Sequence, residues 1–309
     1  MKIVFMGTPD FAVPTLKSLI ASGHEVITVV TGADKKRGRG QKLHGTPVKI
    51  LAEEHNLPIL QPTSLKSEEF KQQLLELNPD IFVVVAFRIL PKALIDIPKF
   101  GSINIHSSLL PKYRGAAPIN WAVLNGDKET GISIFQIEPK VDTGDVLFQK
   151  KILIDEMDTC QEVHDRLSEL GGKSITKVLD DFEKGVINKI PQDNSLATKA
   201  PKIYPEMGEI DWTKSAMEIK NQIHGLSPFP GAYSQFNGKR VKLLRSSFEL
   251  ESNDSEPGTI TIRNKKTLGI QTGNGILYPV ELQKEGKRVM TLQDFLNGFQ
   301  GKVGDKFIS

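Results

Sequence analysis

The sequence predicts an α/β fold, in which a mostly parallel sheet is flanked by helices and is followed by a small C-terminal β-barrel. In the first half of the chain, short apolar runs alternate with segments of helical periodicity. Beyond Met207 the pattern changes to short β-like runs separated by Asn-Gly and Pro-Gly turns. The length of 309 residues exceeds what one hydrophobic core usually organises, so we expect two domains.

The first domain is predicted from repeated strand and helix patterns. An apolar run ends at Gly7, and the residues after it have helical spacing until Gly23. The same alternation continues, which predicts strands over 2–6, 26–30, 58–60, 81–85 and 102–106 and helices over 11–20, 47–55, 68–77, 91–95 and 117–124. Such alternation implies a Rossmann-like parallel sheet with helices on both faces.

Two more β-like runs, 131–137 and 146–154, are interpreted as an antiparallel extension of this sheet. Thr159 and Glu162 have the spacing of a capping box and predict a helix that continues to about residue 182. The next stretch is polar and irregular, as is typical of a linker. We therefore predict a first domain over 1–188, a linker over 189–206 and a second domain over 207–309.

The second domain is predicted to contain one helix and then an OB-like β-barrel. The helix covers 215–224, and the strands cover 232–236, 241–247, 258–261, 268–272 and 275–282. Trp212 is interpreted as packing at the domain junction, and the Pro-Phe-Pro-Gly run that ends at Gly231 is interpreted as a rigid turn.

Composition limits the class of protein. No apolar stretch is long enough to cross a bilayer and the start lacks the zones of a secretory signal, so we expect a cytoplasmic protein. We also expect it to be a monomer. Cys160 is the only cysteine, and the six histidines show no HxxxH spacing, so no metal site is expected. A net charge of +3 and a pI of about 8.7 do not by themselves indicate nucleic-acid binding.

The first strand-to-helix turn reads GTPDFA and lacks the G-x-G-x-x-G fingerprint of dinucleotide binding. This argues against a nicotinamide-dependent dehydrogenase. Asn104 and His106 are two apart on a predicted strand, so both side chains project from one face near its carboxyl end. An amide beside an imidazole can stabilise an oxyanion and move a proton, although a polar strand end paired with the following turn is an alternative.

A turn that contains Asp142 follows the next predicted strand. Asp142 could lie near His106 and orient its ring. The alternative is a turn carboxylate that binds its own backbone, and Asp145 competes for either role.

Longer motifs carry a family resemblance. NIHSSLLPKYRGAAPINWAVLNG, followed by DTGDVL, closely resembles the folate-dependent formyltransferase superfamily. MGTPDFAVPTL, PVKILAEEHNLPILQP, RGAAPI and GEIDW resemble the branch whose acceptor is methionyl initiator tRNA. The resemblance covers essentially the whole chain.

The resemblance implies roles for particular residues. It assigns catalysis to Asn104, His106 and Asp142. It implies 10-formyltetrahydrofolate as the formyl donor and co-substrate, held by two segments whose residues are Ser108, Leu109, Leu110 and Pro111, and Phe87, Arg88, Ile89 and Leu90. The second segment lies in AFRILPK, which is one residue shorter than the AYGLILPK form of the family.

The resemblance also implies tRNA contacts. The basic, glycine-rich segment over 34–43 resembles a family loop that enters the acceptor end, and it supplies Arg37, Arg39 and Lys42. The C-terminal barrel would contact the tRNA backbone through Lys239, Arg240 and Lys242. Taken without the resemblance, the basic segment is more typical of a solvated surface loop, and for the C-terminal residues a solvated surface is as plausible as a basic binding face.

The implied reaction is transfer of a formyl group from 10-formyltetrahydrofolate to the α-amino group of methionyl initiator tRNA, for translation initiation. Two alternatives stay open. One is a formyltransferase of the same superfamily that acts on a small amine such as a sugar nucleotide, and the other is a non-catalytic protein that binds folate or tRNA.

Overall fold

A computed structural model of the chain describes residues 1–37, 42–251 and 254–308. The chain divides into two compact units. The first contains residues 1–115, 130–152 and 164–200, and the second contains 116–129, 153–163 and 201–309. The predicted boundaries at 188 and 206 stay a prediction.

The strands of the first unit are β1 (Lys2–Gly7), β2 (Glu25–Val30), β3 (Lys35–Arg37), β4 (Lys42–His44), β5 (Ile59–Leu60), β6 (Ile81–Val85), β7 (Ser102–His106), β8 (Arg114–Gly115), β9 (Glu129–Gln136), β10 (Val146–Leu153) and β11 (Lys199–Ala200). The helices that the structure describes are α1 (Val13–Ile20), α2 (Pro47–Glu54), α3 (Glu68–Glu76), α4 (Lys92–Ile95), α5 (Pro118–Leu124), α6 (Cys160–Glu183), α7 (Ala216–Gly225) and α8 (Leu292–Asn297).

Seven strands form the main sheet in the order β10-β9-β7-β6-β1-β2-β5. The five strands from β5 to β7 in this order are parallel, and β9 is antiparallel to β7. The predicted α/β sheet and its antiparallel extension are therefore confirmed. After β1 the chain adds β2 and then β5 on one side of β1. It then crosses over and adds β6 and β7 on the other side. This reversal creates a switch point between β1 and β6, where open α/β sheets place their ligands.

Burial explains why the central strands are almost entirely apolar. Residues Ile3 to Met6 of β1 are inaccessible to solvent, and all five residues of β6 are buried. Side-chain caps begin the helices around them: the Thr46 hydroxyl accepts from the Lys49 amide at 3.0 Å. The capping box predicted for α6 is formed in part: the Thr159 amide donates to the Glu162 carboxylate at 2.8 Å, and the Thr159 hydroxyl accepts from the Gln161 amide at 3.3 Å. Among the described residues, no helix is both long enough and apolar enough to span a membrane.

Several short elements were not predicted. β3 and β4 form a small antiparallel hairpin in the basic segment, and β8 pairs in parallel with β11. Strands of two or three residues are too short to show a sequence period. The pairing of β8 with β11 places residues up to Ala200 in the first unit, although their composition is that of a linker.

The second unit contains an antiparallel sheet, as predicted. Its strands are β12 (Ala232–Phe236), β13 (Lys239–Glu249), β14 (Ile260–Arg263), β15 (Leu268–Gln271), β16 (Ile276–Lys284) and β17 (Met290–Thr291). They follow the order β12-β13-β16-β15-β14, and β17 pairs with β16. Residues near the C-terminus connect the two edges: Ile308 exchanges backbone hydrogen bonds with Gln235 of β12, and Phe307 donates to Gly258 beside β14. These C-terminal residues therefore cover part of each edge of the sheet.

The core of this unit is rich in aromatic rings. Phe236, Phe299 and Phe307 pack with centroid separations of 4.7 and 4.9 Å from Phe236. Trp212 is 3 % exposed, belongs to this core and donates to the Ser234 hydroxyl at 3.0 Å. The prediction that Trp212 packs at a domain junction is therefore wrong, because an indole that can satisfy its N–H can be buried in the core of the second unit.

A buried histidine makes the stability of the second unit depend on pH. The His224 Nδ1 atom lies 3.0 Å from the Asp158 carbonyl oxygen, and its Nε2 atom lies 2.9 Å from the carbonyl oxygen and 3.1 Å from the amide nitrogen of Ser246. Burial, together with the nearby Lys220 charge, lowers the pKa of His224 to about 4. The folded state therefore keeps this ring neutral in a range where the unfolded chain protonates it.

We expect the free energy of unfolding of this unit to fall by about 2 kcal/mol between pH 7 and pH 5, because only the unfolded state gains the proton. Both tryptophans, Trp121 and Trp212, lie in the second unit, so their fluorescence during urea unfolding measures it. His55→Gln, at an exposed histidine, should keep this dependence. His224→Gln should flatten it, and an equal pH dependence in that variant would contradict the prediction.

Candidate active site

The predicted catalytic residues lie at the carboxyl edge of the sheet beside the switch point. Asn104 and His106 are on β7, where Asn104 pairs with Val84 of β6. The Oδ1 atom of Asn104 is buried and has no hydrogen-bond partner among the described residues. A buried acceptor without a partner costs about 1–3 kcal/mol, so this atom is well suited to receive a hydrogen bond from a ligand.

His106 is held by the backbone of the turn that follows its strand. Its Nε2 atom lies 2.8 Å from the carbonyl oxygen of Tyr113, and the edge of the ring faces Phe135. Because a carbonyl oxygen only accepts, the Nε2 atom must carry a proton and donate it. The other ring nitrogen, Nδ1, is therefore the one that can change its protonation state during a reaction.

Asp142 lies on the Nδ1 side of this ring. Its Oδ2 atom is 3.9 Å from His106 Nδ1, too far for a direct hydrogen bond but close enough for strong electrostatic interaction. The same oxygen accepts from the Gly115 amide at 2.8 Å. From the sequence we expected Asp142 to orient the ring. In the structure the ring is instead oriented by the hydrogen bond that it donates to the Tyr113 carbonyl.

Gly115 cannot readily be replaced at this site. Its φ is +130°, a value that favours glycine, and an added Cβ atom would lie 2.5 Å from the Ala200 carbonyl oxygen. The lack of a side chain lets β8 approach β11 closely enough to pair. Its amide is thereby held where it donates to Asp142.

Together these groups can promote attack of an amine on an acyl carbon. The Asn104 amide can donate to an oxyanion, and its unpaired oxygen can accept from the attacking nitrogen. A proton released during the attack can be taken up between His106 Nδ1 and Asp142, since a negative carboxylate stabilises the imidazolium. The reaction needs no nucleophile from the protein. In agreement, burial, together with the Glu162 charge, raises the pKa of the Cys160 thiol to about 12, so this cysteine is a thiol at neutral pH.

The segment over 108–111 is held against the sheet. The Ser108 hydroxyl is buried and donates to the Lys112 carbonyl at 2.6 Å. The Ser133 hydroxyl accepts from the Leu110 amide at 2.9 Å and donates to the Ser108 carbonyl at 2.6 Å. Leu110 is buried, whereas Leu109 and Pro111 are half-buried. The serine and Leu110 side chains therefore shape the turn.

The segment over 87–90 follows β6 at the same edge of the sheet. Phe87 and Leu90 pack into the core beside β6, while Ile89 is 73 % exposed. The Arg88 guanidinium donates to the carbonyls of Pro62 at 2.8 Å and Thr63 at 3.2 Å. Arg88 and Ile89 are therefore the exposed residues of this segment, and Ile89 is the apolar one.

The predicted tRNA-binding residues are described to different extents. Arg39 lies outside the described residues, and only the backbone of Arg37 and Lys42 is described, as part of β3 and β4. On β13, Lys239 and Arg240 are exposed, and the Arg240 guanidinium lies 4.0 Å from the centre of the Tyr233 ring. Lys242 donates to the Pro230 carbonyl at 2.6 Å.

A separate cluster of possible metal ligands was not predicted. The ligand atoms of His24, Asp180 and Glu183 lie within 4.8 Å of one another, and both carboxylates are exposed. His24 Nε2 is 3.3 Å from Asp180, and Nδ1 is 3.5 Å from Glu183. The carboxylates thus lie beside different ring nitrogens, an arrangement typical of ion pairs. The expectation of no metal stays a prediction.

The sequence did not indicate the two backbone groups that bind His106 and Asp142, which are the Tyr113 carbonyl and the Gly115 amide. Backbone groups have no residue type that could identify them. The one available signal was Gly115 itself, because a glycine often marks a close approach of two backbone segments.

Comparison with known proteins agrees with this architecture. A family described as "Formyl transferase" matches residues 1–179, and one described as "Formyl transferase, C-terminal domain" matches residues 202–300. A solved structure of WlaRD, a sugar 3N-formyl transferase in the presence of dTDP and 5-N-formyl-THF, superposes with a TM-score of 0.69. That match covers 93% of this chain and 99% of WlaRD at 22% identity, so it supports the fold alone.

Curated relatives are more similar. A methionyl-tRNA formyltransferase of Geobacter metallireducens is 48% identical over 98% of this chain and 97% of its own length. A methionyl-tRNA formyltransferase of Caldanaerobacter subterraneus is 45% identical over 96% of this chain and 97% of its own length. Since the two family matches cover most of the chain and these relatives align along nearly all of it, the chain belongs to the formyl transferase family, in the branch of the methionyl-tRNA formyltransferases.

Proposed function

We propose that this chain transfers the formyl group of 10-formyltetrahydrofolate to the α-amino group of methionyl initiator tRNA. The observation that carries the proposal is the arrangement of Asn104, His106 and Asp142 at the carboxyl edge of the sheet. The arrangement supports acyl transfer, and the methionyl-tRNA formyltransferases that align with the whole chain support the choice of acceptor.

The proposed reaction is direct attack by the neutral amine. The nitrogen of the methionyl group forms a bond to the formyl carbon, and the bond from that carbon to N10 of the folate then breaks. The Asn104 amide donates to the formyl oxygen while its Oδ1 atom accepts from the attacking amine, which satisfies the buried acceptor. The His106 and Asp142 pair takes up the proton that leaves the amine and returns it to N10 of the folate as the bond from N10 to the formyl carbon breaks.

The folate would lie against the two segments that follow β6 and β7. Ile89 is exposed and Leu109 and Pro111 are half-buried, so these three offer apolar surface to the flat pterin ring. Phe87, Leu90, Ser108 and Leu110 would support the pocket from behind. Arg88, engaged with two carbonyls, would fix the path of the shortened segment.

The tRNA would be bound by both predicted domains. The basic segment that includes Arg37, Arg39 and Lys42 would enter the acceptor end, where guanidinium groups bind phosphates and stack on unpaired bases. The C-terminal domain, from residue 207 onward, would contact the backbone through Lys239, Arg240 and Lys242 on β13. Contacts of this kind carry no sequence information and weaken with salt.

The direct test is transfer of labelled formyl from 10-formyltetrahydrofolate to methionyl initiator tRNA. Uncharged initiator tRNA and methionyl elongator tRNA serve as controls, because the first lacks the amine and the second lacks the initiator features. We expect labelling of the charged initiator alone. Transfer to a free amino sugar nucleotide, with none to tRNA, would instead identify the small-amine alternative.

Arg39→Ala should lower kcat/KM for charged tRNA by about 10-fold, because one stacking or phosphate contact is lost. The initial rate is measured at limiting tRNA and saturating folate. Lys35→Ala is the matched control, since it removes one positive charge from β3 of the same segment. An unchanged rate for Arg39→Ala, or an equal decrease in both variants, would contradict a specific role for Arg39.

A further inference from the structure

The strand β11 and the residues before it are attached to the catalytic edge. Ile190 exchanges two backbone hydrogen bonds with Val146, at 2.8 and 2.9 Å. The Thr198 hydroxyl accepts from the Tyr113 amide at 2.8 Å. Between these two attachments lies Gln192, whose half-buried side chain reaches the turn that carries Asp142.

The amide of Gln192 uses its full hydrogen-bonding capacity. Its nitrogen donates to the carbonyl oxygens of Asp142 at 3.1 Å and Gly144 at 2.7 Å. Its oxygen accepts from Arg114 Nε at 3.1 Å and Nη2 at 2.7 Å. Two acceptors on one side and two donors on the other permit only one orientation of the amide, so the side chain is fixed.

The two segments that Gln192 joins are the ones that hold the catalytic pair. Arg114 lies between Tyr113, whose carbonyl binds His106, and Gly115, whose amide binds Asp142. On the other side, Asp142 has a φ of +55°, a left-handed conformation that few residues other than glycine, asparagine and aspartate adopt. Hydrogen bonds from Gln192 to the carbonyl of this residue and to the carbonyl of Gly144, two residues further on, stabilise that conformation.

We propose that Gln192 is a positioning residue for formyl transfer, which holds the Asp142 carboxylate at its working distance from His106. The inference rests on the proposed function. Gln192 does not contact His106 and acts through the turn of Asp142 and through Arg114. Because its two N–H groups bind the turn and its oxygen binds the arginine, the two halves of its amide can be tested separately.

The Gln192→Glu variant separates the contacts of the amide nitrogen from those of the amide oxygen. A carboxylate keeps both acceptor sites for Arg114 and adds an ion pair, but it loses both N–H donors and faces the carbonyls of Asp142 and Gly144. If Gln192 only anchored Arg114, this variant would function like the wild type. If it positions Asp142, we expect kcat to fall about 10–100-fold, as expected when a catalytic group is displaced by a fraction of an ångström to one ångström.

Gln192→Ala removes both sets of contacts and should lower kcat to the same extent or further. Asn194→Ala is the matched control, because Asn194 accepts from Arg114 Nη1 at 2.9 Å and the turn of Asp142 is bound by Gln192 instead. We expect Asn194→Ala to keep kcat within about 2-fold of wild type. In both Gln192 variants KM for folate and for tRNA should stay near the wild-type values.

The measurements are kcat, both KM values and the pH dependence of kcat with charged initiator tRNA, with a thermal unfolding curve for each variant. We expect the pH dependence to change in the Gln192 variants and to stay the same in Asn194→Ala, because the first two alter the environment of Asp142. A wild-type protein without transfer activity would contradict the proposed function itself. An active wild type with a Gln192→Glu kcat within 2-fold of it, or a Gln192→Glu chain that no longer unfolds cooperatively, would overturn the positioning role.

Discussion

Asn104→Ala should lower kcat for formyl transfer by about 10²–10³-fold, the loss expected when one donor to a developing oxyanion is removed. Alanine also removes the buried Oδ1 atom, which lacks a partner among the described residues, so the free protein should be no less stable than wild type. The effect should therefore appear in kcat while the unfolding temperature and the affinity for tRNA stay nearly unchanged.

Single-turnover transfer to charged initiator tRNA measures this effect, because it separates the chemical step from product release. Asn104→Asp is an informative companion, since a carboxylate keeps the acceptor and loses the donor. We expect it to be as slow as Asn104→Ala. Turnover near the wild-type value in either variant would show that Asn104 does not stabilise the oxyanion.

Asp142→Asn should lower kcat by about 10²–10⁴-fold, the range associated with loss of general acid–base catalysis. The asparagine oxygen can still accept from the Gly115 amide, so the turn is retained. The negative charge that faces His106 Nδ1 at 3.9 Å is lost, however, and the pair can no longer stabilise an added proton.

Asp145→Asn is the matched control and resolves an alternative that the sequence left open. It makes the same chemical change three residues away, and we expect a kcat within about 3-fold of wild type. The rates are compared across pH so that a shift of the optimum is not mistaken for a loss of activity. Equal losses in the two variants would contradict the assignment of Asp142 as the partner of His106.

The position of the proposed catalytic residues on the sheet could be predicted largely from strand periodicity. Asn104 and His106 are two residues apart on a buried strand, and this spacing alone places both on one face near its carboxyl end. Asp142 lies far along the chain, so its approach to His106 depends on β9 returning beside β7. The antiparallel extension predicted that return, and the family resemblance singled out Asp142 rather than Asp145.

Other features depend on contacts that have no sequence period. The Tyr113 carbonyl that orients His106 is a backbone group, and β8 and β11 contain two residues each. Closure of the C-terminal sheet also depends on single backbone pairs made by Phe307 and Ile308. Such features are determined by the tertiary fold, and local propensity carries almost no information about them.

The pairing of β11 with β8 limits how the length of this part of the chain can vary. The residues from Ile190 to Ala200 have the polar composition of a linker, but backbone hydrogen bonds join both ends of this stretch to other parts of the first unit. An inserted residue between them would shift either Gln192 or Ala200 out of register, whereas Lys202 and Tyr204, which follow Ala200, are exposed. Insertions and deletions during evolution should therefore be tolerated after Ala200 and selected against before it.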